Sequence, residues 1–309
     1  MILREMPPTW DERFRPRFYA RWGRENCIIS ARTRRAEYPE FEQRLSVKMA
    51  VGGVEDYLID GRRLAVDDDS WLILNDGRRY ASQLHAARPV HSISIFFRPR
   101  LAEEVLRAIA VPPSRLLEDA ASRGADAVIF SEHLRRHDRR ITPVLRYIAR
   151  HVDAGVDDPL WYEEQLALLM ERLLYTYDAD VGRIAALPAG RPATRRELFR
   201  RVQLGADFIE TNFRSSLDLT AMAHAACLSP YHFLRVFRSV HGLTPGQFLQ
   251  AKRVRVAERL LMESDIGLEE IAALTGFGSR TTPFRQLRRR RGLAPSLLRA
   301  AQARPGANT

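Results

Sequence analysis

Residues 218 to 299 contain the same unit twice, and few folds accommodate that repeat. The first copy runs from Leu219 to Ala223, then Leu228 to Arg238, then Gly242-Leu243-Thr244-Pro245. The second runs from Leu268 to Ala272, then Gly276 to Ser279, Phe284 to Arg288, and Gly292-Leu293-Ala294-Pro295. Leu219, Met222 and Ala223 precede Leu268, Ile271 and Ala272 by 49 positions, whereas Arg235, Phe237, Gly242 and Pro245 precede Arg285, Leu287, Gly292 and Pro295 by 50. The turn between the paired helices is therefore expected to be one residue longer in the second copy. A short apolar helix, a tight turn and an arginine-rich second helix make the pattern of a helix-turn-helix, whose second helix enters the DNA major groove.

The charge is concentrated on the same part of the chain. From Arg195 to Thr309 there are 18 arginines and one lysine against nine acidic residues, a net of +10 out of +11 for all 309 residues. A strongly basic segment joined to a nearly neutral one points to a polyanion partner for the basic segment alone. The length suggests two domains, and 45% hydrophobic residues suffice for packed cores. Two cysteines, Cys27 and Cys227, exclude a disulfide scaffold and fit a reducing cytoplasm. The charged, proline-broken start from Met1 to Pro16 does not read as a signal peptide, and no apolar stretch is long enough to span a membrane.

Along the chain, residues 27 to 98 read as short strands. Val54 to Ile59 leads into the hairpin signal Asp60-Gly61, Trp71-Leu72-Ile73-Leu74 is closed by Asn75-Asp76-Gly77, and Ser92 to Ile95 alternates before Phe96-Phe97. Turns about every ten residues suggest a small antiparallel barrel or sandwich. Helices follow over Leu101–Ile109, from Thr142-Pro143 with Thr142 as cap, and from Asp158-Pro159. On the last of these, Leu166, Leu169, Met170, Leu173 and Leu174 share one face, which reads equally as core packing or as a dimerisation stripe. The expected division is a sensing β domain over 1–100, a helical, dimer-forming segment over 101–181, a Pro/Gly-marked linker over 182–196, the double helix-turn-helix over 197–302, and a disordered tail over 303–309. Thr194 and Glu197 have the spacing of a capping box.

Ser229-Pro230 is an N-cap followed by proline at the first helical position, so a helix starts there. Phe233, Val236 and Phe237 fall on its core side, and Tyr231, Leu234, Arg235 and Arg238 on the other. Arg235 is the candidate base contact, since guanidinium pairs bidentately with guanine, and Arg238 the phosphate contact. Tyr231 and Leu234 are placed to touch a thymine methyl or to wedge against neighbouring helices. Thr244-Pro245 opens a connecting helix to about Leu261, with Phe248, Val254, Ala257, Leu260 and Leu261 in register for burial. In the second unit, Pro283 fits the first position of a helix capped by Thr282 better than a helix interior, so that helix is expected from about Pro283 to Arg290. Arg288 to Arg291 cannot all face one groove, and most should meet phosphate.

These residues resemble the double helix-turn-helix domain of the AraC/XylS family of bacterial transcription regulators. Ser229, Arg235, Phe237, Gly242, Thr244-Pro245, Arg253, Ala257, Leu260-Leu261, Ile271-Ala272, Gly276-Phe277, Arg285, Gly292, Pro295 and Arg299 stand where that pattern expects them. The resemblance covers about a third of the chain, and departs from the pattern at Pro283 and Leu287. It implies base-facing positions at Tyr231, Leu234 and Arg235 in the first unit and at Arg280, Thr281 and Arg285 in the second, with Arg288 a further DNA contact. It also implies a cytoplasmic transcription factor on double-stranded promoter DNA, with RNA polymerase as a candidate partner. More weakly, Tyr57 to Phe97 resembles the cupin-like effector barrel of many members.

Fold class is thus read as α+β, a cupin-like antiparallel barrel with helices followed by an all-α domain. The chain is expected to be a homodimer, without catalytic residues or cofactor, controlled by a small molecule of unidentified structure in its N-terminal domain. The alternative is a ligand-independent or architectural DNA binder. His85 and His91 lack the close pairing of a cupin metal site, and His133 and His137 sit among arginines that repel a cation, so a solvated helix face suits them better and no metal is expected. A DNA-repair alkyl acceptor, sometimes fused to such domains, needs a reactive cysteine; Cys27 reads as strand and Cys227 as core.

Overall fold

Trp71-Leu72-Ile73-Leu74 is an unbroken apolar run because its strand is buried on both faces. Trp71 and Ile73 join one hydrophobic cluster, Leu72 and Leu74 another. The computed structural model describes residues 1–8, 11–110 and 127–277, divided into two units, Met1–Ala186 and Leu187–Thr309.

The first unit is one eight-stranded sheet. Strand β1 (Ile2–Leu3) runs parallel to β2 (Cys27–Glu42), and every other pairing is antiparallel. Two long strands, β2 and β7 (Arg79–Phe96), pair from Cys27↔Phe96 to Glu42↔Arg79 with two register shifts. One half of β7 also holds β3 (Ser46–Val51), which continues through β6 (Ser70–Leu74) to β8 (Leu134–Arg136). The other half holds β4 (Glu55–Ile59), the hairpin partner of β5 (Arg62–Val66). The Asp60-Gly61 turn is as read, both residues having positive φ. Among the described pairings none closes the sheet, so it is not a complete barrel.

Helices cover one face. Preceded by α1 (Phe14–Arg21) and α2 (Leu101–Ala110), helices α3 (Thr142–Asp153) and α4 (Pro159–Ala185) supply Leu145, Ile148, Val152, Leu166, Leu169 and Leu173 to the cluster around Trp71 and Ile95. The leucine stripe of α4 is therefore core of its own unit, with Leu169 and Leu173 fully buried, and is not a dimer face. Arg135 on β8, half-buried, pairs with the buried Asp180 on α4 and fastens the far edge of the sheet to that helix.

Four local readings change. Helix α3 begins one residue early, with Ile141 as N-cap, because Asp138 accepts from the Arg140 and Ile141 amides while Thr142 Oγ1 accepts from the Asp138 amide. His133 and His137 flank strand β8 and lie on no helix; His133 is buried, and burial lowers His137 to a pKa of about 4. The expected linker at 182–196 is mostly helical, since α4 runs to Ala185 and α5 (Pro192–Asn212) starts at Pro192. Thr194 lies inside α5. Glu197 binds Arg200 and Arg201, each at 2.8 Å, and those hydrogen bonds pull it down to a pKa of about 2.

In the second unit, α5 is followed by α6 (Leu219–Ala225), α7 (Pro230–His241), α8 (Pro245–Glu263) and α9 (Leu268–Leu274). The sequence repeat is also a repeat of helix ends. After α6, the Leu228 amide donates to the Ala223 carbonyl and the Cys227 amide to His224, with Cys227 at φ +52°. After α9, 49 residues on, Phe277 donates to Ala272 and Gly276 to Ala273, with Gly276 at φ +74°. Both are Schellman ends, which need a left-handed residue just past the helix. Cys227 is consequently exposed, not core.

Two measurements check this packing. Leu169→Ala should lower the stability of the first unit by roughly 2–5 kcal/mol, a large-to-small change in a closed core, and Leu169→Glu should unfold it rather than yield a folded monomer. Cys227→Gly should raise the melting temperature, the left-handed strain relieved (about 1–2 kcal/mol) exceeding the entropic cost of glycine (about 0.5–1 kcal/mol). Gly276→Ala should lower it, because a Cβ there lies 2.5 Å from the Arg214 carbonyl oxygen.

Candidate DNA-binding interface

Helix α7 starts where Ser229 caps it, Oγ accepting from the His232 amide at 3.4 Å with Pro230 behind it, and stops at Gly242 in the left-handed region. Phe233, Val236 and Phe237 are at most 1% exposed. The ring of Phe233 lies on the backbone of α5 at Gly205, where a Cβ would come within 2.5 Å of it. Phe233 meets Phe237 edge-on at 5.1 Å, and Phe237 meets Phe248 at 5.3 Å.

That seat fixes what the opposite face offers. Tyr231 is 78% exposed, Arg235 and Arg238 are exposed, and Leu234 is half-buried. The four candidate contacts of the first unit thus share the outward side of one short helix, Tyr231 and Leu234 nearer its N-terminus and Arg238 nearer its end. Half-burial of Leu234 means that it both props the helix and reaches outward. Among the described residues neither Arg235 nor Arg238 forms an ion pair with an acidic group, so both guanidinium groups are open to an anion. Arg280, Thr281, Arg285 and Arg288, the expected contacts of the second unit, lie outside the described residues, as do Pro283, the arginine run and the tail. The additional turn residue of the second copy falls there too, since the 49-residue offset still holds at Phe277.

Within the C-terminal unit, helix α8 follows the first helix-turn-helix copy and leads into the second. Thr244 and Gln247 form a reciprocal capping box at its start, and 19 residues make a rod of about 28 Å. Val254, Ala257 and Leu261 pack on Ile271, Ala272 and Phe277, while Phe248 and Leu260 are only half-buried. The sequence reading missed the buried charges of this helix. Arg253 donates to the carbonyls of Phe213 and Ser215, both at 2.7 Å, tying down the segment between α5 and α6. Lys252 and Arg255 each lie 3.1 Å from Glu210 of α5. No amphipathic pattern signals such residues, because the helix is buried on several sides and its charges are satisfied inside.

Comparison with known proteins supports the same region. A family model described as a helix-turn-helix domain matches residues 222–301. The HTH-type transcriptional regulator Rv1931c of Mycobacterium tuberculosis is 39% identical over 82 residues, 26% of this chain and 32% of that protein. The bifunctional transcriptional activator/DNA repair enzyme AdaA of Bacillus subtilis is 28% identical over 98 residues, 32% of this chain and 46% of that protein. The matched region spans less than half the length of these relatives. Among solved structures, the DNA-binding domain of AdpA, a global transcriptional factor crystallised with a target DNA, is 33% identical and covers 33% of this chain and 91% of that one, with a TM-score of 0.31. Residues 222–301 thus match a helix-turn-helix domain, and over that region the chain is similar to transcriptional regulators.

Proposed function

We propose that the protein is a cytoplasmic transcription regulator that reads a double-stranded promoter site with its C-terminal unit and responds to a small molecule held in its N-terminal unit. The observation that carries the DNA reading is α7, a helix seated through Phe233 and Phe237 whose outward side presents Tyr231, Leu234, Arg235 and Arg238. Arg235 sits where bidentate pairing with guanine is open to it, and Arg238, a turn further along, where phosphate is the nearer target. Arg280, Thr281, Arg285 and Arg288 belong to the proposal through the sequence repeat. Pro283 and the four arginines favour a second unit that mostly grips backbone.

Effector control is supported by the inner side of the first unit's sheet. One half is filled by Leu64, Val66, Leu72, Leu74 and Leu84, while the other keeps a small polar, aromatic cavity. An architectural binder has no need of the second feature. Homodimerisation belongs to the reading as well, but on a face other than the leucine stripe; along α4 the apolar side chains left at the surface are Leu160, Tyr175 and Val181. RNA polymerase remains a candidate partner. Among the described residues no helix is long and apolar enough to cross a membrane.

The alkyl-acceptor alternative gains nothing from the cysteines. Cys27 is buried, and its desolvation pushes the thiol up to about 12, the reverse of a reactive thiolate. Cys227 is exposed for a backbone reason, its place at the end of α6.

A fragment from Leu187 to Thr309 should bind DNA with an affinity that falls steeply with salt, because arginine–phosphate contacts release counterions. A flat salt dependence contradicts the reading. Arg235→Ala should lose roughly 1–3 kcal/mol on the selected site and much less on random DNA, whereas Arg238→Ala should weaken both about equally. Titration of both variants against both DNAs decides; equal behaviour removes the distinction between base reader and phosphate contact.

A further inference from the structure

Lys48 points into the sheet, not out of it. Along β3 the side chains alternate, Val47 and Met49 toward the helices and Ser46, Lys48 and Ala50 toward the inside. Lys48 is 2% exposed. Its ammonium lies 3.6 Å from the Phe96 ring centre, 5.4 Å from Tyr80 and 5.9 Å from Tyr57. Among the described residues it makes no hydrogen bond and no ion pair within 4 Å. Glu55, 3% exposed, lines the same cavity and accepts from Ser92 Oγ at 2.7 Å. A buried ammonium with three donors and aromatic faces for company lacks acceptors, and an unsatisfied buried charge is costly.

The space beside it is about 50 Å³. That corresponds to roughly four water-sized positions, enough for a molecule of a few heavy atoms. Met6 and Pro7 of the N-terminal segment and Phe18 and Trp22 at α1 cover it with apolar atoms, while Ser82 and Ser94 add hydroxyls.

We propose that this cavity is the effector site and that it takes a short-chain monocarboxylate, the carboxylate on the Lys48 ammonium and the alkyl chain among the Tyr57, Tyr80 and Phe96 rings. The inference rests on the reading of the N-terminal unit as effector-binding, and gives that site its ligand chemistry. Charge balance fixes how binding must proceed. Lys48 and Glu55 give the cavity lining one base and one acid, neutral as a pair. Adding an anion to a low-dielectric space leaves a net negative charge unless a proton enters with it. The proton leaves Lys48 charged opposite the ligand and Glu55 neutral. Burial already favours that exchange, lowering Lys48 to a pKa of about 7 and raising Glu55. The other titratable groups facing the ammonium are Cys27 and Tyr38 on β2, Tyr57 on β4 and Tyr80 on β7. Burial raises all four, so they stay neutral and take no part. The N-terminal segment and α1 contribute no ionisable group to the lining on that side.

The test is a calorimetric titration of the full chain, without DNA, with acetate, acetamide and ethylammonium at pH 7.5 and 8.5. Acetate should bind with uptake of one proton, its affinity falling about tenfold between the two pH values. Acetamide and ethylammonium should bind at least tenfold more weakly than acetate at pH 7.5, and Lys48→Met should lose acetate by tenfold or more. Absence of acetate binding, acetamide binding as tight as acetate, pH-independent affinity, or preference for ethylammonium (which would make Glu55 the reader) each overturns the proposal, even if Lys48→Met does not fold. Because no DNA is present, failure here leaves the DNA-binding reading to its own salt titration.

Discussion

The contact of Phe233 with the bare backbone of Gly205 sets the geometry of the C-terminal unit. A Cβ at position 205 would lie 2.5 Å from the ring, so helix α7 can approach α5 this closely only over a glycine. From that anchor the Phe233, Phe237 and Phe248 rings run edge to face toward α8. Helix α8 in turn is tied to α5 by Lys252 and Arg255 on Glu210, and to the following segment by Arg253. An aromatic contact thus orients the exposed side of α7, and buried ion pairs hold the frame around it. Breaking one partner of such a pair costs more than its presence contributes, which makes the frame rigid rather than merely stable.

Much of this was legible because it is local. Ser229-Pro230 and Thr244-Pro245 mark helix starts through one side chain and one ring, within four residues. Asp60-Gly61 marks its hairpin in the same way, and the repeat at a 49-residue offset reappears as two equivalent Schellman ends. Where a distant or competing partner decides, the reading failed. Thr142 lost its capping role because its Oγ1 is turned back to the Asp138 amide and the His137 ring. Glu197 lost its own to Arg200 and Arg201. The leucines of α4 were correctly read as a buried stripe, but periodicity says that a face is covered and not by what.

Charges inside the fold were the larger omission. Lys48, Glu55, Lys252, Arg253 and Glu258 are all buried, and a sequence reading assigns such residues to the surface by default. The two groups differ in kind. Arg253 is spent on backbone carbonyls and Lys252 on a carboxylate, so both are accounted for by the frame of the C-terminal unit. Lys48 faces rings and a cavity. The open sheet matters here too, since its long strands β2 and β7 give the inner side an apolar half and a polar half. The same architecture therefore holds a filled core and a small chamber.

The central claim is that one side of α7 reads bases through Arg235, and chemical interference tests it most directly. Guanines in the selected DNA site are methylated sparsely at N7, and bound molecules are separated from free ones. With the wild-type chain, methylation at one particular guanine per recognised half should block binding, since a bidentate guanidinium needs both N7 and O6. With Arg235→Ala that single block should disappear while the remaining pattern is kept. If both proteins give the same interference pattern, Arg235 does not contact a base and α7 is not the reading element described here.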